Sequence, residues 1–478
     1  MESADNFRRA GLALPVVVST VMLVWYGNGL NPWWPLLWFA PLPVLLFASH
    51  NPARASALVA FLSWLLGSLN MWHYFVGVLR LPLAIWFLTF GFAAVWFVAA
   101  VLLFRARLRG NAPWSALVAF PATWVSLEYL LNLVSVHGTA GNLSYSQLHF
   151  LPLLELASVT GPWGISFLLL LFPATLAVGL HLRRTAPKQA FGIVSAGLGL
   201  IGLALIFGAV RLAAKTPGPQ VRVGLIASDQ PANVDIADAG SESNRLFRDY
   251  AAAAERLAAQ GAQVIVLPEK LGAIVDPNTS DADAVFQSLA NRPKTQIVVG
   301  VVHVAGPLKY NQARVYAPGI PPLSYDKHHM LPPFESHLKP GTTLTQMQEP
   351  SGTWGVAICK DMDFTPLSRQ YGKAGTGLML VPAWDFVADR VWHGHMAVMR
   401  GVESGFSVVR AAKQGYLTVS DNRGRILAET RSDSAPFAML LTDVPAGHET
   451  TLYLLWGDWF AWLVLAALAF TLLQFVSR

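Results

Sequence analysis

Cysteine is almost missing from this chain: 478 residues hold one, Cys359. Without a second thiol there is no internal disulfide and no cysteine-based metal cluster, so Cys359 is either a small buried apolar residue or a reagent. Charge is scarce too. Charged residues make up 13% of the chain against 54% hydrophobic ones, too apolar for an ordinary soluble protein. Residues 134–160 contain no Lys or Arg at all. The chain carries no phosphate-binding glycine loop and no dinucleotide fingerprint, and no cofactor is expected. Its histidine pairs, His328 with His329 and His393 with His395, lack the i,i+4 spacing of a zinc site with a catalytic Glu, so no metal is expected either.

The apolar residues are concentrated. Eight runs, near 10–29, 33–49, 55–75, 81–104, 113–133, 161–182, 190–212 and 452–476, are long enough to cross a bilayer core. The first lacks a convincing cleavage site and is followed at once by further runs, so it reads as a span and not as a signal peptide. Basic residues decide the orientation. Arg8, Arg9, Arg54, Arg105, Arg107, Arg109, Arg183, Arg184, Lys188 and Arg478 fall on one side, and Arg80 is alone in the loops between spans on the other. Arg211 and Lys215 run against the bias. Both termini are therefore expected in the cytoplasm and the polar segment outside, on the periplasmic face of a bacterial inner membrane. The net charge of +6 largely reflects this bias and implies no nucleic-acid partner. The expected domains are 1–215, seven spans; 216–447, large enough for its own core; and 448–478, the last span.

The 216–447 segment alternates strand-like and helix-like stretches, which predicts an α/β sheet domain. Strands are expected at 220–226, 264–267, 296–300, 311–316, 355–358 and 378–381, and helices at 241–260 and 390–405. Glu269 and Cys359 then emerge just past strands and Lys327 in a loop, and carboxyl ends of strands are where α/β sites gather. A thiol needs a base or a positive neighbour. Glu269 is positioned in the chain to take the proton, and Lys327 to stabilise a thiolate and a developing oxyanion. Structural roles stay open for each: Glu269 as a helix cap or partner of Lys270, Lys327 as a solvated loop charge. His328 and His329 are expected to shape the Lys327 loop, and Arg400 and Glu403, at i,i+3, to form a structural pair. Glu128, inside an apolar run, is a functional or packing candidate. Residues 150–154 are expected either to line an opening or to pack.

The order Glu269, Lys327, Cys359 resembles the nitrilase superfamily, whose members carry a Glu-Lys-Cys triad on an αββα sandwich. Spans, then such a domain, then one last span is similar to the layout of the bacterial apolipoprotein N-acyltransferase family. Residues 31–41, Trp124 to Tyr129, Leu143 to Gln147, Leu156 to Gly161, Met399 to Gly405 and Gly457 to Trp459 resemble that family's stretches in the same order.

The resemblance implies a membrane protein with eight transmembrane helices and an extracytoplasmic, nitrilase-like αββα sandwich. It implies Glu269 as general base, Lys327 as oxyanion stabiliser and Cys359 as acyl-carrying nucleophile, supported by Glu335, by the Lys360 N–H and by Asp361. The partners implied are a phospholipid acyl donor, a diacylglyceryl lipoprotein acceptor and the bilayer, with the protein acting as a monomer. Departures surround the nucleophile and the access loop. Cys359-Lys360-Asp361 stands where the family commonly has Cys-Tyr-Glu, Leu267-Pro268-Glu269 replaces Trp-Pro-Glu, and Leu131 sits where an Arg is usual. Lys360 either lowers the thiol's pKa or points away. Two other readings remain: a membrane-tethered amidase whose thioester is cleaved by water, and a non-catalytic lipoprotein-binding relative.

Overall fold

In the computed structural model, residues 2–230, 240–276, 279–292 and 295–476 are described. The chain divides into two compact units: residues 1–134, 141–213 and 456–478 form one, and residues 135–140 and 214–455 the other.

The first unit is helical. Among the described residues, five helices are long and apolar enough to cross a membrane: Ala53–Met71, Leu83–Arg109, Pro113–Val134, Pro162–Leu182 and Pro187–Ala213. Shorter apolar helices span Leu12–Gly27, Trp34–His50, Leu151–Thr160 and Trp459–Gln474. The 33–49 run is not one helix. It breaks between Trp34–Leu37 and Leu42–His50, where Pro41 caps the second piece. Leu452–Trp456 and Trp459–Val476 are likewise separated, at Gly457 with φ 62°. Arg478, counted in the charge bias, lies outside the described residues.

Two carboxylates in this unit find partners within it. Glu128 accepts hydrogen bonds from Trp124 Nε1 (3.0 Å), Asn142 Nδ2 (2.9 Å) and Leu143 N (2.8 Å), which makes it a clamp on the Leu143–Gln147 turn. Arg211, the residue that ran against the charge bias, pairs with buried Glu155 at 2.6 Å. Its position follows from that partner. Residues 150–154 pack: Phe150 stacks on Trp34 at 4.4 Å, and Leu153 and Leu154 are fully buried.

The second unit is a two-sheet sandwich. One sheet contains β1 (Gln220–Ala227), β2 (Val264–Val266), β3 (Ala273–Val275), β4 (Gln296–Ala305), β5 (Leu308–Tyr316) and β6 (Leu323–Asp326). The other contains β7 (Thr345–Glu349), β8 (Gly352–Val356), β9 (Thr376–Trp384), β10 (Ser407–Lys413), β11 (Tyr416–Ser420) and β12 (Ile426–Arg431). The final strand β13 (Ala438–Pro445) returns to the first sheet, whose order is β13-β1-β2-β4-β5-β6 with β3 beside β4. The second runs β12-β11-β10-β9-β8-β7. In each sheet the central strands, β1-β2-β4 and β8-β9-β10, are parallel.

Side-chain alternation explains the layers. In β1, Val221, Val223 and Leu225 join the core that also holds β9 and β10, while Ile226 faces the helix Ser241–Ala259 with Phe247 and Leu257. Helices Ser241–Ala259 and Thr279–Asn291 cover the first sheet, and Thr365–Lys373 and Arg390–Ser404 cover the second. The result is an αββα sandwich, a nitrilase-like fold. Strands β3, β6 and β7 are too short to show a clear apolar alternation, whereas helix Thr279–Asn291, with Ala282, Val285, Phe286 and Leu289 on one face, carries a helical signal that the sequence reading passed over.

Candidate active site

The site collects at the carboxyl ends of the central parallel strands. Beyond β2 the chain turns through Leu267 and Pro268 to Glu269, whose N–H donates to Ala383 O of β9 at 3.2 Å and so joins the two sheets there. Gly300 in β4 lies against this turn. A Cβ at that position would meet Pro268 O at 2.4 Å and Glu269 Cα at 2.5 Å, so only glycine leaves room.

Lys327 follows β6 directly, its N–H donating to Asn311 O of β5 at 2.8 Å. Its side chain is 2% exposed and ends between two equally buried carboxylates, with Nζ donating to Glu269 Oε1 (2.8 Å) and Glu335 Oε2 (2.7 Å). Asn311 Nδ2 donates to the same pair, at 2.5 and 2.7 Å. Lys270 reaches Glu335 Oε1 at 3.3 Å, and Leu331 N donates to Glu335 Oε2 at 2.9 Å. The cluster holds two carboxylates and two ammoniums. Burial disfavours the charge on Lys327, but Glu269 and Glu335 outweigh it and hold its pKa well above the ordinary value. Burial likewise raises Glu335, and Lys327 and Lys270 overcome that, bringing it to about 2.

Cys359 does not continue β8 directly. The strand ends at Val356, and the thiol opens a tight turn, Cys359–Asp363, with φ 43° at the cysteine. A non-glycine residue in this region is strained, and such strain gathers at functional sites. The half-buried thiol donates to Trp384 O at 3.5 Å. Burial, then the charge of Glu269, push its pKa well above the ordinary value, against the pull of Lys327 and Arg410. Arg410, fully sequestered, is clamped by the carboxylate of Asp385, one contact at 2.8 Å. Burial and Glu269 thus favour the neutral thiol among these charges.

Asp361 ties the Cys359 turn to the Lys327 loop. Its Oδ1 accepts from His328 N (3.1 Å) and His329 N (2.9 Å), and its Oδ2 from Tyr325 Oη (2.8 Å) and Ile358 N (3.1 Å). The histidines thus shape that loop through Asp361. The Lys360 ammonium engages Asp363 Oδ2 (3.3 Å) and His137 Nδ1 (3.2 Å). Burial, then Lys360, lower His137 to about 4. On the far side of the turn, His393 lies 3.2 Å from Asp389 Oδ2 and 3.7 Å from Asp363 Oδ1. Burial opposes its charge, but these carboxylates raise it to about 10. Thr139 N and Oγ1 both donate to Asp363 O, at 3.1 and 2.8 Å. Arg400 and Glu403 form a sequestered pair at 2.8 Å.

The structure therefore brings Glu269, Lys327, Glu335 and Cys359 into one electrostatic cluster, with Asp361 as a brace and the Lys360 side chain directed to Asp363 and His137. Asn311, Lys270, Trp384, Asp385 and Arg410 were missed by sequence reasoning. Each lies inside or at the end of a strand-like run and has no spacing signal of its own. Among the described residues, no group of three or more His, Cys, Asp or Glu side chains is placed to hold a metal ion.

Residues 225–435 match the carbon-nitrogen hydrolase family, and residues 19–175 match the apolipoprotein N-acyltransferase N-terminal domain. The apolipoprotein N-acyltransferase of Geobacter metallireducens is 27% identical, over 91% of this chain and 91% of its own. That of Vibrio cholerae is 23% identical over 91% and 92%. An amidase from Nesterenkonia sp., known from its crystal structure, is 20% identical over 49% of this chain and 93% of its own, with a TM-score of 0.42. Two family domains in that order, and relatives aligned over both, give one conclusion: the chain belongs to the apolipoprotein N-acyltransferase family.

Proposed function

We propose that this membrane protein moves an acyl chain from a phospholipid to the α-amine of the diacylglyceryl-cysteine at a lipoprotein's N-terminus, through a thioester on Cys359. The observation that carries the residue assignment is Lys327, bonded to both Glu269 and Glu335 within the charge environment of the Cys359 thiol.

Glu269 takes the Sγ proton as sulfur attacks the ester carbonyl of the donor, so the thiolate exists only with substrate in place. Lys327 and the Lys360 N–H hold the tetrahedral oxyanion, and losing one such donor typically costs on the order of 100-fold or more. The C–O bond breaks, and Glu269 returns its proton to the departing lysophospholipid oxygen. The acceptor amine then attacks the thioester. Its nitrogen bonds to the carbonyl carbon, the C–S bond breaks, and Glu269 passes the amine's proton to sulfur. An amide is more stable than a thioester, so this step runs downhill.

Both substrates are lipids whose transfer to water costs roughly 0.8 kcal/mol per CH₂, which favours a catalyst embedded in the bilayer. The eight apolar runs favour eight spans, with domains at 1–215, 216–447 and 448–478, and the basic-residue bias favours an inner-membrane protein with a periplasmic sandwich. One copy of the chain supplies every group this chemistry uses.

The test incubates purified protein with phosphatidylethanolamine and a synthetic diacylglyceryl lipopeptide and reads the peptide by mass spectrometry. A gain of one acyl chain, absent with Cys359→Ala, is expected. Release of free fatty acid without acylated peptide would make the protein a hydrolase instead.

A further inference from the structure

We propose that Ser135–Ala140 is a strap that holds the turn opened by Cys359 in its reactive shape, with Thr139 and His137 as positioning residues for thioester formation. The inference rests on the acyl-transfer reading above and deepens it.

The segment belongs with the sandwich, although Val134 before it and Gly141 after it belong to the helical unit. It lies along Cys359–Asp363 and touches that turn near both ends. At the far end Thr139 closes two hydrogen bonds on one acceptor, Asp363 O, from its N at 3.1 Å and its Oγ1 at 2.8 Å. Near the start His137 Nδ1 accepts from the Lys360 ammonium at 3.2 Å. Gly138 sits between them with φ 54°, and a Cβ there would meet Asp363 O at 2.5 Å and the Phe364 ring at 3.2 Å. Only glycine lets the strap lie this close.

A buried ion pair stands behind Thr139. Arg400 Nη1 donates to Thr139 Oγ1 at 3.3 Å, and Nη2 donates to Glu403 Oε1 at 2.8 Å. Both side chains are fully buried, and such a pair contributes little net stability, because the water it loses offsets the attraction. Its placement gives it a use. The guanidinium fills the acceptor side of the Thr139 hydroxyl, which leaves the O–H directed to Asp363.

Cys359 at φ 43° persists only where its surroundings impose that backbone. Upstream, Asp361 imposes it, with its N donating to Ile358 O at 2.9 Å and its Oδ2 accepting from Ile358 N at 3.1 Å. Downstream, the helix Thr365–Lys373 opens with Ser368 N donating to Phe364 O, one residue past Asp363, and the strap takes Asp363 O. Phe364 carries the contact further. Its ring stacks on His329 at 3.6 Å, and Asp361 Oδ1 holds His329 Nδ1 at 3.0 Å. The strap, the Cys359 turn and the Lys327 loop are thus packed in series. The Lys360 N–H, which meets the oxyanion, lies inside the turn that the strap closes. His137 draws the Lys360 side chain one way and Asp363 Oδ2, at 3.3 Å, the other, so that N–H keeps one direction.

The experiment follows thioester formation on Cys359 in the full-length protein, at single turnover with phosphatidylethanolamine, by intact-protein mass spectrometry. Thr139→Val removes the hydroxyl and keeps the shape. It is expected to lower the maximal rate roughly tenfold or more, with the half-saturating donor concentration unchanged, because small misplacements of reacting groups are that costly. Thr139→Ser is expected to keep most of the rate, and the two variants to melt together. His137→Ala is expected to slow the wild type but to add nothing to Lys360→Met, since His137 acts through that side chain. Thr139→Val reacting at the wild-type rate would overturn the strap. So would a loss that Thr139→Ser shares, or one that appears only in the half-saturating concentration. His137→Ala slowing both backgrounds alike, or neither, would overturn the role of His137. A wild-type protein that forms no thioester would sink the acyl-transfer reading, and the strap with it.

Discussion

Asp361 Oδ1 lies 2.9 Å from the backbone N and 3.0 Å from the ring Nδ1 of His329, so one carboxylate holds that residue at two points. His329 is two residues past Lys327, and Asp361 two past Cys359. The contact fixes the Lys327 loop relative to the turn that Cys359 opens, through a carboxylate two positions after the thiol.

Removing that carboxylate with Asp361→Ala strands the buried Ile358 N–H and Tyr325 O–H, at about 1–3 kcal/mol each. Asp361→Asn keeps the shape but can meet fewer of these donors. Both variants are expected to fall in kcat for thioester formation, Ala further than Asn, with donor KM little changed. Single-turnover acylation followed by intact-protein mass spectrometry measures this.

Lys327→Met leaves Glu269 and Glu335 buried without their shared cation. Breaking a buried pair from one side typically costs about 3–5 kcal/mol. Loss of acyl transfer together with a lower melting temperature is expected. Lys327→Arg is not expected to rescue either, because a planar guanidinium does not fill a site built for a compact ammonium.

Glu335 titrates near 2 in the fold, against 4.5 for an ordinary glutamate. The unfolded chain therefore binds more protons between those values, and the stabilisation is complete above about pH 4.5 and lost as pH falls towards 2. Stability measured by denaturant across that window should drop steeply in the wild type. Glu335→Gln is expected to be less stable at neutral pH and to show a flatter acid limb.

Glu269 is the largest charge effect raising the Cys359 thiol, after burial. Glu269→Gln is therefore expected to speed alkylation of Cys359 by iodoacetamide at neutral pH while abolishing acyl transfer. Alkylation and transfer falling together would mean that Glu269 holds the thiol in place and does not act as its base.

Much of this was legible in the sequence because the chemistry depends on residues at strand ends. The 264–267 and 355–358 runs announced strands; these end at Val266 and Val356, and Glu269 and Cys359 each lie three residues beyond. Charge scarcity marked the apolar helices, although Pro41 and Gly457 interrupt two runs that look continuous. Asn311 was invisible, since its role comes from pairing β5 with β6, a long-range contact that leaves no local spacing. Thr139 was unreadable for a similar reason. Its partner Asp363 lies 224 residues further along the chain.

The first and last strands of the sandwich are neighbours: Gln220 of β1 pairs with Pro445 of β13, and Ala446 N and Gly447 N donate to Pro219 O and Pro217 O at 3.0 and 3.2 Å. The long stretch of this unit, residues 214–455, thus begins and ends side by side, while residues 135–140 join it separately. Such a unit is modular, because domains whose ends adjoin can be inserted into a host chain without disturbing either partner. A fragment of residues 216–447 alone, however, would lose Thr139 and His137, whose contacts to Asp363 and Lys360 hold the turn that Cys359 opens.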